Sequence, residues 1–298
     1  RCDARADASA DASAVDAAPE PDGREPLALC DSLGSYPDQW ISGGPACGSE
    51  VDIQVHQLNA NTYILRQSLC TSGEAPFLYL LFGEDKALLE DTGDGGIDLV
   101  STVNMIVAEH EAAAGHSIEL VVVNSHAHGD HVAANNAFDQ DGATVVGASQ
   151  TNLTNFFGMS WPHDPAAFDL GNRVVDIFGI PGHQSAHIAI YDRQNGILLT
   201  GDTLYPGRLF INDFAAYKAS IAFLASFTES REVCAVLGTH IEMSTTPGDD
   251  YDFNVDHHPN ERDLALTRGT LLELQTAIEA MGNSPVRETH DDFIVFPL

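Results

Sequence analysis

The sequence predicts an α/β protein in which two sheets pack face to face with helices on their outer sides. Short apolar or alternating segments gather in two runs, and each run is followed by helices, the pattern left when two covered sheets share one core. Several of these strands end in a loop carrying histidine or aspartate, the usual place for a site in such folds, because a buried strand fixes where the loop's side chains point. A chain of 298 residues, 44% of them hydrophobic, is long enough to bury such a core.

Residues 1–26 are dominated by Ala, Asp, Ser and Pro and are expected to form a disordered acidic tether, leaving 27–298 as a single domain. Segments 51–58, 61–66, 77–82 and 87–90, separated by Asn, Gly and Pro signals, read as antiparallel strands. Asp91-Thr92-Gly93 closes the last of them, and 97–110 has helical periodicity. The run 120–124 is a strand, 131–138 a helix, 143–147 a strand and 150–157 a short helix. The second run contains strands at 174–180, 187–192, 197–200 and 233–237, with a helix at 214–227 and a long amphipathic helix at 261–281. No period of 20 to 50 residues indicates a solenoid.

The formal net charge is −31, with two lysines, Lys86 and Lys218, against eleven arginines. Phosphate binding needs a basic face, so nucleic acid is excluded as a partner, and strongly anionic small substrates meet an unfavourable field unless metal cancels it. The simplest reading of the charge is solubility or adaptation to salt. No apolar run approaches the roughly 20 residues of a membrane span, and no signal-peptide pattern is read. Cys2 at the start of the tether fits either a processed, lipid-anchored export product or an incidental cysteine. Cys30, Cys47 and Cys70 flank Gly/Pro/Ser-rich connections suited to disulfides in an oxidising, extracytoplasmic compartment, whereas Cys234, inside an apolar run, is expected as a buried core thiol. The oligomeric state is not legible.

The stretch Asn124-Ser125-His126-Ala127-His128-Gly129-Asp130-His131 directly follows the strand at 120–124. His126 and His128 are two residues apart, so in extended backbone they project to the same side and can share one ion. Asp130 and His131 are adjacent and point differently, which suits a second ion beside the first. Three further strands each end in one potential ligand: His183 in Pro-Gly-His, Asp202 in Gly-Asp and His240 in Gly-Thr-His. Nitrogen and carboxylate donors without thiolate favour two Zn²⁺ ions.

The H-x-H-x-D-H run, then Pro-Gly-His, Thr-Gly-Asp-Thr and Gly-x-His, in that order across residues 51–240, resembles the metallo-β-lactamase fold superfamily of metallo-hydrolases. The resemblance implies an αββα four-layer sandwich with His126, His128 and His183 on one metal, Asp130, His131 and His240 on the other, and Asp202 bridging both. Members that destroy β-lactams generally lack the bridging carboxylate. Glyoxalase II-like thioesterases and acyl-homoserine lactonase-like enzymes have it, and in the lactonase branch a tyrosine follows by three residues, as Tyr205 does here. Glyoxalase II also carries basic glutathione-binding residues in a C-terminal helical domain, whereas residues 249–298 here are acidic.

The expected chemistry is attack of a metal-bound hydroxide on the carbonyl of a small acyl substrate, a lactone or thioester. Asp130 would orient the hydroxide and shuttle its proton, and Tyr205 would stabilise the oxyanion. Asp91 and His187 would stand behind the ligands and fix their tautomers. Residues 59–60, 161–168 and 205–214 are expected to line the pocket. The alternatives are β-lactamase activity and a mononuclear-iron, persulfide dioxygenase-like oxidoreductase; His128 stands where flavodiiron proteins place a glutamate.

Overall fold

The computed structural model describes residues 29–253 and 255–298, so the tether and Cys2 lie outside the described residues. The first sheet contains β1 (Ile53–Asn59), β2 (Thr62–Gln67), β3 (Phe77–Phe82), β4 (Lys86–Glu90), β5 (Glu119–Val123) and β6 (Thr144–Val146), in that order across the sheet. β1 to β4 form an antiparallel meander, and β4, β5 and β6 run parallel. Parallel neighbours need crossovers, supplied by α1 (Leu99–Ala114) and by α2 (Gly129–Val132) with α3 (Asn135–Asp141). The second sheet follows α4 (Gln150–Phe157) and contains β7 (Ala166–Asp169), β8 (Val174–Gly179), β9 (Ile188–Asp192) and β10 (Ile197–Gly201). β11 (Arg208–Ile211) and α5 (Phe214–Phe227) lead back to its β12 (Ala235–Gly238) and β13 (Ala265–Leu266). After α6 (Arg268–Met281), β14 (Glu288–Thr289) and β15 (Ile294–Pro297) join β11 in a small third sheet.

Burial explains the sequence pattern. β3, β8, β9 and β10 are largely apolar without alternation because both faces of each sheet are covered. Ile64, Tyr79, Leu88 and Val121 of the first sheet meet Ile177, Ile188, Leu199 and Leu237 of the second in the central core. Leu65, Leu80, Leu89 and Val122 turn outward onto Val103 and Ile106 of α1 and Phe138 of α3. Phe178, Tyr191, Leu198 and Val236 turn onto Ile221 and Leu224 of α5 and Leu271 and Leu274 of α6. The result is the expected helix–sheet–sheet–helix layering. At one end, the buried guanidinium of Arg173 bonds the Asn61 and Phe82 carbonyls of the first sheet and, at 2.6 Å, Asp192 of the second. No helix among the described residues is long and apolar enough to cross a membrane.

Three expectations are corrected, and two strands are added. The helix expected over 131–138 is split, with Ala134 outside helical geometry between α2 and α3. The helix expected from 261 starts at Arg268, where Thr267 caps it, because 261–267 instead carries Glu261, paired with buried Arg66, and β13. Strands β7 and β11, four residues each and too short to show periodicity, are additions to those read from sequence. Cys234 is not a free core thiol: it is bonded to Cys30, with Cα atoms 5.0 Å apart, and Cys47 is bonded to Cys70. Cys234 lies just before β12 begins, where the 29–32 turn brings Cys30 beside it, a meeting that the flanking sequence does not reveal.

Candidate metal centre

The loops that follow β4, β5, β8, β10 and β12 converge on one edge of the sandwich. After β5, Ser125 is fixed by Asp91: its N–H donates to Asp91 Oδ1 and its hydroxyl to Oδ2, each at 2.7 Å. Asp91 adopts a left-handed backbone, φ 69°, which costs an aspartate about 1 kcal/mol and is tolerated where surrounding bonds fix it. Gly182 and Gly201 precede ligands for a steric reason. A Cβ at Gly182 would lie 2.4 Å from Tyr217 Cα, and one at Gly201 2.6 Å from His187 Cε1.

These constraints bring all seven candidate ligands together in two groups, His126, His128, His183 and Asp202, and Asp130, His131 and His240. Within each group the ligand atoms lie within 4.8 Å of one another. Asp202 faces both. Its Oδ2 is 3.6 Å from His126 Nε2 and 3.4 Å from His183 Nε2, and its Oδ1 is 3.5 Å from His131 Nε2 and 3.3 Å from His240 Nε2. Asp130 Oδ2 is 3.0 Å from His131 Nε2 and 3.4 Å from His240 Nε2.

Outer partners fix which ring nitrogen faces inward. His131 Nδ1 donates to Asp91 at 2.7 Å, His183 Nδ1 to the Phe210 carbonyl at 2.8 Å and His240 Nδ1 to the Glu74 carbonyl at 2.9 Å. Nε2 of each is thereby left as the lone-pair donor. His187 donates from Nδ1 to the Ile188 carbonyl and accepts the Asp202 N–H at Nε2, 3.1 Å away, while its ring stacks on His126. Thr239 donates its hydroxyl to Asp202 Oδ1.

The donor set fits divalent cations. The Nε2 atom of His126 is buried and has no hydrogen-bond partner among the described residues, a costly state for a polar atom unless something binds there, and that of His131 faces carboxylate oxygens. Electrostatics agree. Burial alone would lower the pKa of His131 and His240, but carboxylates outweigh it, Asp91 and Asp202 for His131 and Asp202 and Asp130 for His240, and hold both well above the usual value. Burial would raise Asp130 and Asp202, yet the facing imidazoles hold both below the carboxylate range. His126 is pushed well down by burial, with the neighbouring His131 adding to it. The site therefore demands positive charge, which protons on His131 and His240 or bound cations supply.

A cavity of about 350 Å³ opens over the cluster, walled by Phe210, Leu298, Glu74, Glu242 and the Tyr205 ring. Glu74, Glu242 and Leu298 were not found from sequence; no motif marks them, and only the fold brings them here. The Tyr205 hydroxyl is directed onto the Arg208 carbonyl and Glu242, and burial pushes its pKa well up. Of the expected pocket residues, only part of 205–214 lines this cavity. Asn59 bonds Asn195, in the turn between β9 and β10 and away from the cluster, and Trp161 packs under Gly179.

Comparison with known proteins agrees with this geometry. The chain is 37% identical over 120 residues to a hydroxyacylglutathione hydrolase of Methylococcus capsulatus, covering 38% of this chain and 46% of that protein. It is 32% identical over 129 residues to one of Gloeothece citriformis, covering 39% and 50%. The chain thus spans about half the length of these curated relatives. A metallo-beta-lactamase structure from Pontibacter korlensis superposes with a TM-score of 0.51 at 15% identity, covering 76% of this chain and 99% of that one, a likeness of fold. Residues 74–278 match the family model described as the metallo-beta-lactamase superfamily, and to that family the chain belongs.

Proposed function

We propose that the chain is a dinuclear-zinc hydrolase that opens a lactone or cleaves a thioester or ester. The observation that carries this reading is Asp202, whose two oxygens face two separate groups of ligands. Bound zinc supplies an acidified water and a Lewis acid for the substrate carbonyl. His126, His128, His183 and Asp202 would hold one ion, and Asp130, His131, His240 and Asp202 the other. Of the two carboxylate ligands that line the cavity, Asp130 is the less buried and so the one within reach of a bound substrate. It accepts the proton of the attacking water and passes it to the leaving oxygen or sulfur. Tyr205 is assigned to the pocket wall, because its hydroxyl proton is held by Arg208 and Glu242.

The test is elemental analysis combined with a hydrolysis screen of lactones, thioesters, aryl esters, β-lactams and phosphodiesters. Two zincs per chain and turnover of a carbonyl ester support the reading. A single iron, or no hydrolysis by the zinc-loaded protein, defeats it. Asp202→Ala should lose both ions, and a hundredfold loss of kcat in Tyr205→Phe would return that hydroxyl to the chemistry. The two disulfides favour an extracytoplasmic location, since cytosolic thiols are kept reduced. Fractionation of the producing cell checks it.

A further inference from the structure

Apart from the candidate ligands, the charged side chains lining the catalytic cavity are Glu74 and Glu242, both carboxylates. Glu242 is neutralised, with Oε1 3.2 Å from the Arg208 guanidinium and Oε2 accepting the Arg208 N–H at 2.7 Å. Arg208 cannot turn to a ligand. It is buried, bonds Asp250 at 3.1 Å and the Tyr251 carbonyl at 2.7 Å, and lies over the Phe253 ring. The Glu74 carboxylate is different: it keeps access to solvent and has no hydrogen bond or ion pair from its side chain among the described residues, while partial burial and the nearby carboxylates push its pKa up. Across the cavity stand Phe210, backed by Phe296 with ring centroids 4.9 Å apart, and exposed Leu298. One wall thus carries a carboxylate without an ion-pair partner and the other is apolar, and neither lysine nor arginine lines the cavity.

Resting on the hydrolase reading above, we propose that Glu74 is a specificity-determining residue that turns away substrates with an anionic leaving group. The favoured class is an acyl ester, lactone or thioester whose non-reacting end is neutral or cationic and whose chain packs on Phe210 and Leu298. A fixed charge acting over 5–10 Å in a water-lined cavity changes the relative rate of a singly charged and a neutral substrate by roughly three- to tenfold. The net charge of −31 adds a diffuse field of the same sign. An anionic glutathione thioester is therefore a poor substrate here.

The experiment uses the zinc-loaded full chain and three thioesters with one acyl group: acylglutathione (anionic), acyl-N-acetylcysteamine (neutral) and acylthiocholine (cationic). We expect kcat/KM for the neutral and cationic compounds to exceed that for acylglutathione at least tenfold, with the gap shrinking as salt rises. Glu74→Gln should narrow the gap three- to tenfold and Glu74→Lys should narrow it further. Glu84→Gln, which removes an equal charge beyond the opposite end of β3, should leave the ratio unmoved. Zinc content is measured in each variant so that a lost ion is not mistaken for altered selectivity. Equal or faster turnover of acylglutathione, or ratios within twofold across the Glu74 variants, overturns the proposal while the hydrolase reading stands. No turnover of any of the three, nor of any compound in the wider screen, removes both.

Discussion

Asp91→Asn isolates how the cluster is oriented. Asp91 accepts three hydrogen bonds, from the Ser125 N–H, the Ser125 hydroxyl and His131 Nδ1, all at 2.7 Å, and its carboxylate is fully buried. An amide keeps one oxygen for the Ser125 N–H but presents an NH₂ to His131. Two N–H groups cannot face each other, so His131 must carry its proton on Nε2, the atom that points at Asp130 and Asp202. A protonated Nε2 has no lone pair for an ion. Losing this orientation should weaken the site formed by Asp130, His131 and His240 about 10- to 100-fold, or roughly 1.4–2.7 kcal/mol, while the His126, His128 and His183 group is less affected. Competition with a chromophoric chelator measures each step, and nitrogen-15 NMR of the imidazoles reports the tautomer. If both ions bind as tightly in Asp91→Asn as in the parent, the orientation argument is wrong.

Zinc binding should release about two protons near neutral pH, because His131 and His240 have raised pKa values in the metal-free site and ligation requires them neutral. Calorimetry in buffers of different ionisation enthalpy counts them, and no release would refute the charge assignment. The same sign makes zinc affinity fall as pH falls. Glu90 is buried, neither carboxylate oxygen has a partner among the described residues, and burial, reinforced by Asp91, pushes its pKa well up. The folded state therefore holds a proton that the unfolded chain releases above about pH 4.3, so Glu90 costs stability increasingly as pH rises. Glu90→Leu should raise Tm more at pH 8 than at pH 5, by an amount equivalent to about 1–3 kcal/mol, and an equal shift at both would contradict this. Arg173→Ala leaves Asp192 buried without a counter-charge, held by the Gln194 N–H and the Asn195 amide, and should cost about 3–5 kcal/mol in chemical denaturation with little change in zinc stoichiometry.

The candidate ligand set was legible because chemistry and topology leave marks in sequence: His126 and His128 at alternate positions after an apolar strand, and His183, Asp202 and His240 each one or two residues after a glycine at a strand end. Their convergence follows from the order of the strands. What walls the cavity was not legible. Glu74 lies in the connection between β2 and β3, Phe210 sits in a four-residue strand without periodicity, and Leu298 reaches the cavity through pairing of β15 with β11. These contacts link residues more than 80 positions apart and obey no local pattern. The Cys30–Cys234 bond, spanning 204 residues, escaped notice for the same reason.

Two imidazoles, those of His183 and His240, are steered by main-chain carbonyls that belong to Phe210 and Glu74, the very positions whose side chains form opposite walls of the cavity. A carbonyl survives any replacement of the side chain beside it. Such an arrangement separates what a lineage must keep from what it is free to vary: residues 74 and 210 can be exchanged to suit a new acyl compound while the rings behind them stay aimed. Selectivity can thus drift without the reaction centre being rebuilt.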